Sequence, residues 1–224
     1  GLFGIGEKTI ENMVKGIAIL KKGKERTPIS LAMQAADEFL RPLEKLAAVS
    51  EAVIAGSLRR RKETVRDIDI LVESDKPKKI MEAFIRLPGV GMVLAKGETK
   101  SSLRTKGDVQ VDCRVVEKKS FGAALLYFTG SKNFNIKIRQ IAIRKGLKIN
   151  EYGVFKKDRF ICGQTEGEIF KALGMPYIEP ELREDNGEIE LAKKFKLPHL
   201  IELKDIKGDL HVHSEWSDGG NTIE

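Results

Sequence analysis

Two short segments constrain the fold of this chain more than anything else in it: DIDILVE at residues 67–73 and VQVDCRVV at residues 109–116. Both alternate apolar and polar residues, and a β-strand points successive side chains to opposite faces of its sheet. Ile68, Ile70 and Val72 therefore face a core, while Asp67 and Asp69 project together from the other side. In the second segment Val109, Val111, Cys113 and Val115 form one side, and Gln110, Asp112 and Arg114 the other. If the two strands are neighbours, three carboxylates share one face. Like charges so placed repel one another unless cations sit between them. Mg²⁺ suits such a set of hard oxygen donors, and two ions about 3.5–4 Å apart can clamp the attacking and leaving oxygens of an in-line phosphoryl displacement. Asp67, Asp69 and Asp112 are thus candidate catalytic residues and metal ligands, with two Mg²⁺, or Mn²⁺ in their place, as the expected cofactor. An isolated D-x-D is more often a solvated sheet face, so the neighbouring residues decide how much weight this one carries.

Just before the first strand stands AGSLRRRKETVR, residues 55–66. Gly56 lets the backbone approach an anion closely, the Ser57 hydroxyl and nearby N–H groups can donate to it, and a helix N-terminus following the Gly-Ser step would favour negative charge. Arg60 adds a guanidinium able to clamp phosphate oxygens. The segment reads as a triphosphate cradle beside a metal site. Alone, three arginines in a row would be an exposed turn. Together with the Gly-Ser step, the D-x-D and a third aspartate on an alternating strand, they form a far more specific pattern.

The remaining chain reads as helices around a mixed sheet. Amphipathic helices are expected over 7–22 and over about 30–46, the latter burying Leu31, Ala35, Phe39, Leu43 and Leu46, with Pro42 as a kink or break. Strands are expected at EAVIAG, GMVLA and KSSLRT, and helices at about 77–87, 120–130, 133–145 and 166–173. A small β unit is expected at 147–161, and one more helix and a final strand near the end. This order predicts an α+β fold rather than a regularly alternating parallel sheet. No run of apolar residues is long enough to span a bilayer, GLFGIGEKTI lacks the pattern of a secretory signal, and two cysteines suit a reduced compartment, so a cytoplasmic protein with no membrane role is expected. Residues 1–165 hold 33 Lys and Arg against 19 Asp and Glu, a net +14, whereas the remainder holds 7 against 14, a net −7. The basic part should attract polyanions, although such a surface also serves solubility alone.

These residues resemble the nucleotidyltransferase superfamily and, within it, the family X DNA polymerases, the group containing DNA polymerase beta. GSLRRRKETVRDID is similar to the family's palm motif, VQVDCRVV to the strand with the third aspartate, YFTGS at 127–131 to a stretch contacting the nucleotide sugar, and INEYGVF to the thumb. The similarity runs from about residue 10 to 180. It implies a helical fingers region at 1–47, a nucleotidyltransferase palm at 48–118, a small α/β thumb at 119–185 and, at 186–224, a linker leading into the opening of a phosphoesterase domain of the polymerase and histidinol phosphatase type. It implies that Asp67 and Asp69 bind both metals while Asp112 binds the catalytic metal and helps activate a primer 3′-hydroxyl. Gly56, Ser57, Arg60 and Arg26 would hold the triphosphate, Tyr127, Phe128 and Gly130 the sugar, and Asn135 the base. Arg114 and Arg139 would contact DNA. The implied activity is templated addition of dNMP from a dNTP to a primer or gapped duplex, in gap-filling repair, by a monomer.

There are departures. Lys132 stands where polymerase beta has an acidic residue and Gln110 where it has an arginine, which puts base contacts and primer handling in question. GLFGIGEK reads as a helix cap in the fingers or as a helix-hairpin-helix turn, and the family's lyase-like domain is expected to be absent. KGDLHVHSEWSDGG resembles the first strand of the phosphoesterase domain, with His211 and His213 as metal ligands at alternate strand positions and Asp218 in the following turn. The other ligands of such a site are missing, so no nuclease or phosphatase activity is expected. Three other readings stay open: a nucleotidyltransferase acting on RNA ends or small molecules, which should lack the YFTGS match, a non-catalytic DNA-binding fragment, which would need the basic surface but no carboxylates, and a phosphoesterase, which rests only on the last eighteen residues.

Overall fold

The computed structural model describes residues 26–208 and 210–223, so the helix expected over 7–22 lies outside it. A two-residue strand β1 (Thr27–Pro28) leads into helix α1 (Ile29–Glu44), then β2 (Glu51–Ile54), the one-turn helix α2 (Gly56–Arg59), β3 (Thr64–Val65) and β4 (Asp67–Glu73). Helix α3 (Pro77–Phe84), β5 (Val90–Lys96), β6 (Lys100–Thr105) and β7 (Gln110–Val116) complete the first half. Five of these strands form one mixed sheet in the order β2-β4-β7-β6-β5, parallel only between β4 and β7.

The alternation in β4 and β7 does what period two requires. Ile68, Ile70 and Val72 from β4 and Val111, Cys113 and Val115 from β7 are buried on one face, in a core shared with Phe39 and Leu43 of α1 and Ile80 and Phe84 of α3. α1 differs from expectation in two ways. Pro42 lies inside an unbroken helix, near its C-terminal end. The stripe is also rotated: Ala32 and Ala36 are buried while Leu31 is 55% exposed, since small side chains let the helix backbone lie close to the sheet. Pro77 opens α3 at its first turn, where the missing N–H costs nothing.

The second half starts with α4 (Phe121–Thr129) and α5 (Lys132–Arg144), followed by a three-stranded antiparallel sheet of β8 (Lys148–Asn150), β9 (Gly153–Lys156) and β10 (Arg159–Cys162). Helices α6 (Glu166–Ala172) and α7 (Glu188–Lys193) finish the packed part. FGAALLYFT is apolar nearly all round, and α4 is buried on two sides accordingly. Its Phe121, Ala124 and Leu125 pack on Leu71 of the large sheet, while Ala123 and Leu126 enter a separate core with Phe134, Ile138, Ile169 and Phe170. Helix α6 is held by a capping box between Thr165 and Glu168. Because α4 covers the sheet only from Leu71 onward, the N-terminal end of β4, with Asp67 and Asp69, is left open.

Among the described residues the final strand is absent. Residues 206–208 and 210–223 form turns and irregular backbone, with His211 at φ +47°. No helix of the described residues is long and apolar enough to cross a membrane.

Candidate active site

The register of the parallel pair builds the site. Asp67 lies opposite Gln110 and Asp69 opposite Asp112 on adjacent strands, so the three carboxylates do share one sheet face. Asp69 is pushed up to about 7, chiefly by burial and then by Asp67 and Asp112, while burial followed by Asp112 raises Asp67 above the ordinary carboxylate range. Lys100 Nζ, 3.3 Å from Asp112 Oδ2, and Gln110 Nε2, which donates to Asp112 Oδ1 at 3.1 Å, engage the third acid. Among the described residues no three His, Cys, Asp or Glu side chains gather in metal-holding geometry. The donor set is all carboxylate, so it fits hard divalent cations, whose charge would reverse the cost of ionising Asp69.

Beside the aspartates opens a cleft of about 340 Å³ that gathers most of the expected residues: Gly56, Ser57 and Arg60 on one wall, Asp67 and Asp69 on the floor, and Tyr127, Phe128 and Gly130 on the other, with Asn135 and Arg139 from α5 at the rim. Gly56 is needed twice over. Its φ is +63°, and a Cβ there would lie 2.2 Å from Asp69 Oδ2. α2 is a single turn, so its macrodipole is weak, and any anion held here would rely on local N–H groups, Ser57 and Arg60. Arg60 already has partners, since its Nε lies 2.8 Å from Glu184 Oε1 and its Nη1 donates to the Thr129 carbonyl.

The remaining expected residues are placed as follows. Tyr127 is exposed and Phe128 half-buried, so neither is plain core, and their rings meet edge to face. Asn135 Nδ2 donates to the Tyr127 carbonyl at 2.7 Å, which ties α5 to the end of α4, and Arg139 Nε donates within α5 to the Asn135 carbonyl at 3.3 Å. The Arg114 guanidinium stacks 4.4 Å from the Phe128 ring centroid. Arg26 is not in the cleft. It bonds to Thr64 and lines an adjoining pocket with Arg66, Arg104 and Lys106, which Asp67 borders from the other side. The strand expected around the histidines does not form, so His211 and His213 do not hold alternate strand positions, although their ring centroids lie 5.0 Å apart. His213 Nδ1 instead lies 2.5 Å from Asp218 Oδ1, and no third ligand joins them among the described residues.

Sequence reasoning missed Lys100, Arg59 and Glu184. Lys100 was recoverable, since pairing β6 with β7 sets it opposite Arg114 on the polar face. The other two depend on contacts across more than a hundred residues, for which the sequence carries no local signal.

The family described as DNA polymerase beta thumb matches residues 124–184. The Repair DNA polymerase X of African swine fever virus (strain Badajoz 1971 Vero-adapted) is 33% identical over 141 residues, 58% of this chain and 80% of that protein. The chain belongs to the family X DNA polymerases. Another member, the DNA polymerase/3′-5′ exonuclease PolX of Bacillus subtilis (strain 168), is 40% identical over 227 residues that include all of this chain but only 40% of that protein's length. The structure of polymerase beta from Leishmania infantum, a ternary gap complex, matches with a TM-score of 0.64 at 26% identity, covering 75% of this chain and 74% of that one. Family X membership thus agrees with the mixed sheet and its flanking helices.

Proposed function

We propose that this chain is the polymerising core of a family X enzyme, which transfers dNMP from a dNTP to the 3′-hydroxyl of a primer on gapped or recessed DNA and releases pyrophosphate. Fingers would lie at 1–47, palm at 48–118 and thumb at 119–185, with repair gap filling as the setting and a cytoplasmic monomer as the working form. The observation that carries this reading is the pairing of Asp69 with Asp112 across β4 and β7, beside a cleft walled by Ser57 and Arg60. The names of the viral and bacterial relatives support DNA as the partner.

Asp67, Asp69 and Asp112 would hold two Mg²⁺, with Mn²⁺ able to substitute. Bound there, the ions supply charge neutralisation for the triphosphate and lower the pKa of the attacking hydroxyl. Asp112 orients that hydroxyl, and Lys100 must leave it as the primer enters. Ser57 and the N–H groups of the α2 turn hold the triphosphate by hydrogen bonds. Arg60 gives up Glu184 for the phosphate oxygens, where two parallel N–H donors match the anion better than one carboxylate oxygen does. Tyr127 and Phe128 bear on the sugar, Asn135 on the base, and Arg139 and Arg114 on the DNA. Because the reacting groups bring their own charge, the protein acts mainly by positioning and by electrostatic stabilisation.

Primer extension on a one-nucleotide gap, with each dNTP supplied separately, tests this. The intact chain should add the templated nucleotide, and Asp112→Ala should lose roughly a thousandfold or more in rate while melting at a similar temperature. A folded Asp112→Ala protein that extends like wild type would overturn the assignment.

A further inference from the structure

We infer that the open face of the small β8-β9-β10 sheet is a stacking platform for unpaired single-stranded DNA, leading away from the aspartate face. Phe155 lies opposite Phe160 on β10 and opposite Lys148 on β8, so two rings and a cation form one row across three strands. The rings meet edge to face at 5.7 Å. Val154, the next residue of β9, points the other way into the core, which leaves the row on the uncovered side. Gly153 makes the row possible, since a Cβ there would lie 2.5 Å from Phe160 Cε2 and push the ring off the strand.

The row opens onto a groove of about 660 Å³ lined mainly by apolar atoms, to which Tyr152 contributes an exposed ring. Tyr152 is 59% exposed and Phe160 41% exposed, more than packing alone calls for in rings of that size. Arg114 lines this groove and also the small pocket that contains Asp69 and Asp112, so it stands between the two sites.

Charge selects the occupant. Arg114, Lys119 and Lys148 border the rings, and the β9–β10 turn adds Lys157, whereas Lys156 and Arg159, paired with each other, lie on the face of Val154. The acids nearby are fewer, namely Glu117, Glu151 and Asp158, and Glu117 is engaged by Lys119 at 2.7 Å. Exposed rings among excess cations suit a strand that alternates bases with phosphates, since each base has a face to stack and each phosphate a charge to neutralise. An apolar peptide would leave those cations unmatched. The inference rests on the polymerase reading for its setting: the strand is the unpaired template beyond the primer end.

Fluorescence anisotropy of the full chain with two labelled probes decides the matter, one a primer–template with a 5′ template overhang of about ten nucleotides, the other a blunt duplex. Phe160→Leu and Phe155→Leu keep apolar volume but remove the ring face. Each should weaken overhang binding about five- to tenfold and leave blunt-duplex binding within about twofold. Lys148→Ala, on an exposed strand, should weaken overhang binding about two- to threefold and flatten its salt dependence, and it serves if a ring variant fails to fold. Overhang affinity unchanged in stably folded variants would overturn the inference, as would equal loss on both probes. So would sedimentation in which the ring variants dissociate a dimer, since the face would then bind a second copy. If no probe is extended by the intact chain but ring-dependent overhang binding persists, the polymerase reading fails and the platform stands.

Discussion

Two clusters of charge in this chain have opposite designs. On the open end of the large sheet, Asp67, Asp69 and Asp112 repel one another, and burial with mutual repulsion holds Asp69 at about 7. At the junction of the two halves, Glu166 is as deeply placed but fully matched. It takes two hydrogen bonds from Arg59, at 3.0 and 2.7 Å, another from Tyr177 at 3.0 Å, and a further one from Arg183. Burial alone would raise Glu166, yet Arg59 and Arg183 outweigh it and hold the carboxyl below its ordinary value. Arg183 is itself wholly buried, with Phe170 and Tyr177 ring centroids 5.4 and 5.2 Å from its guanidinium carbon. Charges that the protein completes by itself hold the architecture together. Charges it leaves in excess mark where something from outside must bind.

The sharpest attempt to break this contrast is Gly56→Ala. The added methyl would collide with the Asp69 carboxylate, and the backbone there strains any L side chain, so nucleotide addition should fall by about a hundredfold or more, well beyond the change in melting temperature. Near-normal turnover by Gly56→Ala would mean that the aspartate face works in some other geometry. The junction should instead fail in stability. Glu166→Gln leaves the buried Arg183 and the half-buried Arg59 without an anion and should cost about 3–5 kcal/mol in urea unfolding at neutral pH. The pH dependence follows from the depressed carboxyl: its contribution is fully present above the unfolded-state value and is lost as pH falls through the lowered folded value. Wild-type and Glu166→Gln stabilities should therefore converge in acid, and a gap that persists at low pH would show that the carboxylate charge is not what matters. Smallest should be Glu184→Gln, which frees Arg60 for an incoming triphosphate. The nucleotide KM should fall about two- to fivefold with kcat unchanged, and stability should move by only about 1 kcal/mol, because Arg60 keeps the Thr129 carbonyl. A rise in KM would mean that Glu184 positions Arg60 rather than competing for it.

Much of this was legible along the chain. DIDILVE spans the same seven residues as β4, and the helices expected near 77, 120, 133 and 166 begin within a residue of those positions. Ser57, Arg60, Tyr127 and Asn135 do line one cleft. Other readings failed for identifiable reasons. HVH alternates like a strand, but without neighbouring strands to pair with, the described segment around it does not form one, although the two imidazoles stay 5.0 Å apart. Leu31 fits the helical stripe by spacing, yet close packing at Ala32 and Ala36 turned it outward. Arg59, Arg60 and Arg61 look alike in the sequence. In the structure Arg59 is locked onto Glu166, Arg60 faces the cleft against Glu184, and Arg61 reaches Met33 Sδ at 3.8 Å.

By itself, then, the sequence determined the two alternating strands, the shared direction of Asp67 and Asp69, and a glycine that lets the backbone come close to an anion. Each follows from period two or from a local steric limit, both properties of a few consecutive residues. Only the tertiary structure decided that β4 and β7 pair in parallel with Asp69 opposite Asp112, and which arginine answers to which acid. Register and ion-pair partners are chosen by packing between segments far apart in the chain, and no local pattern encodes that choice.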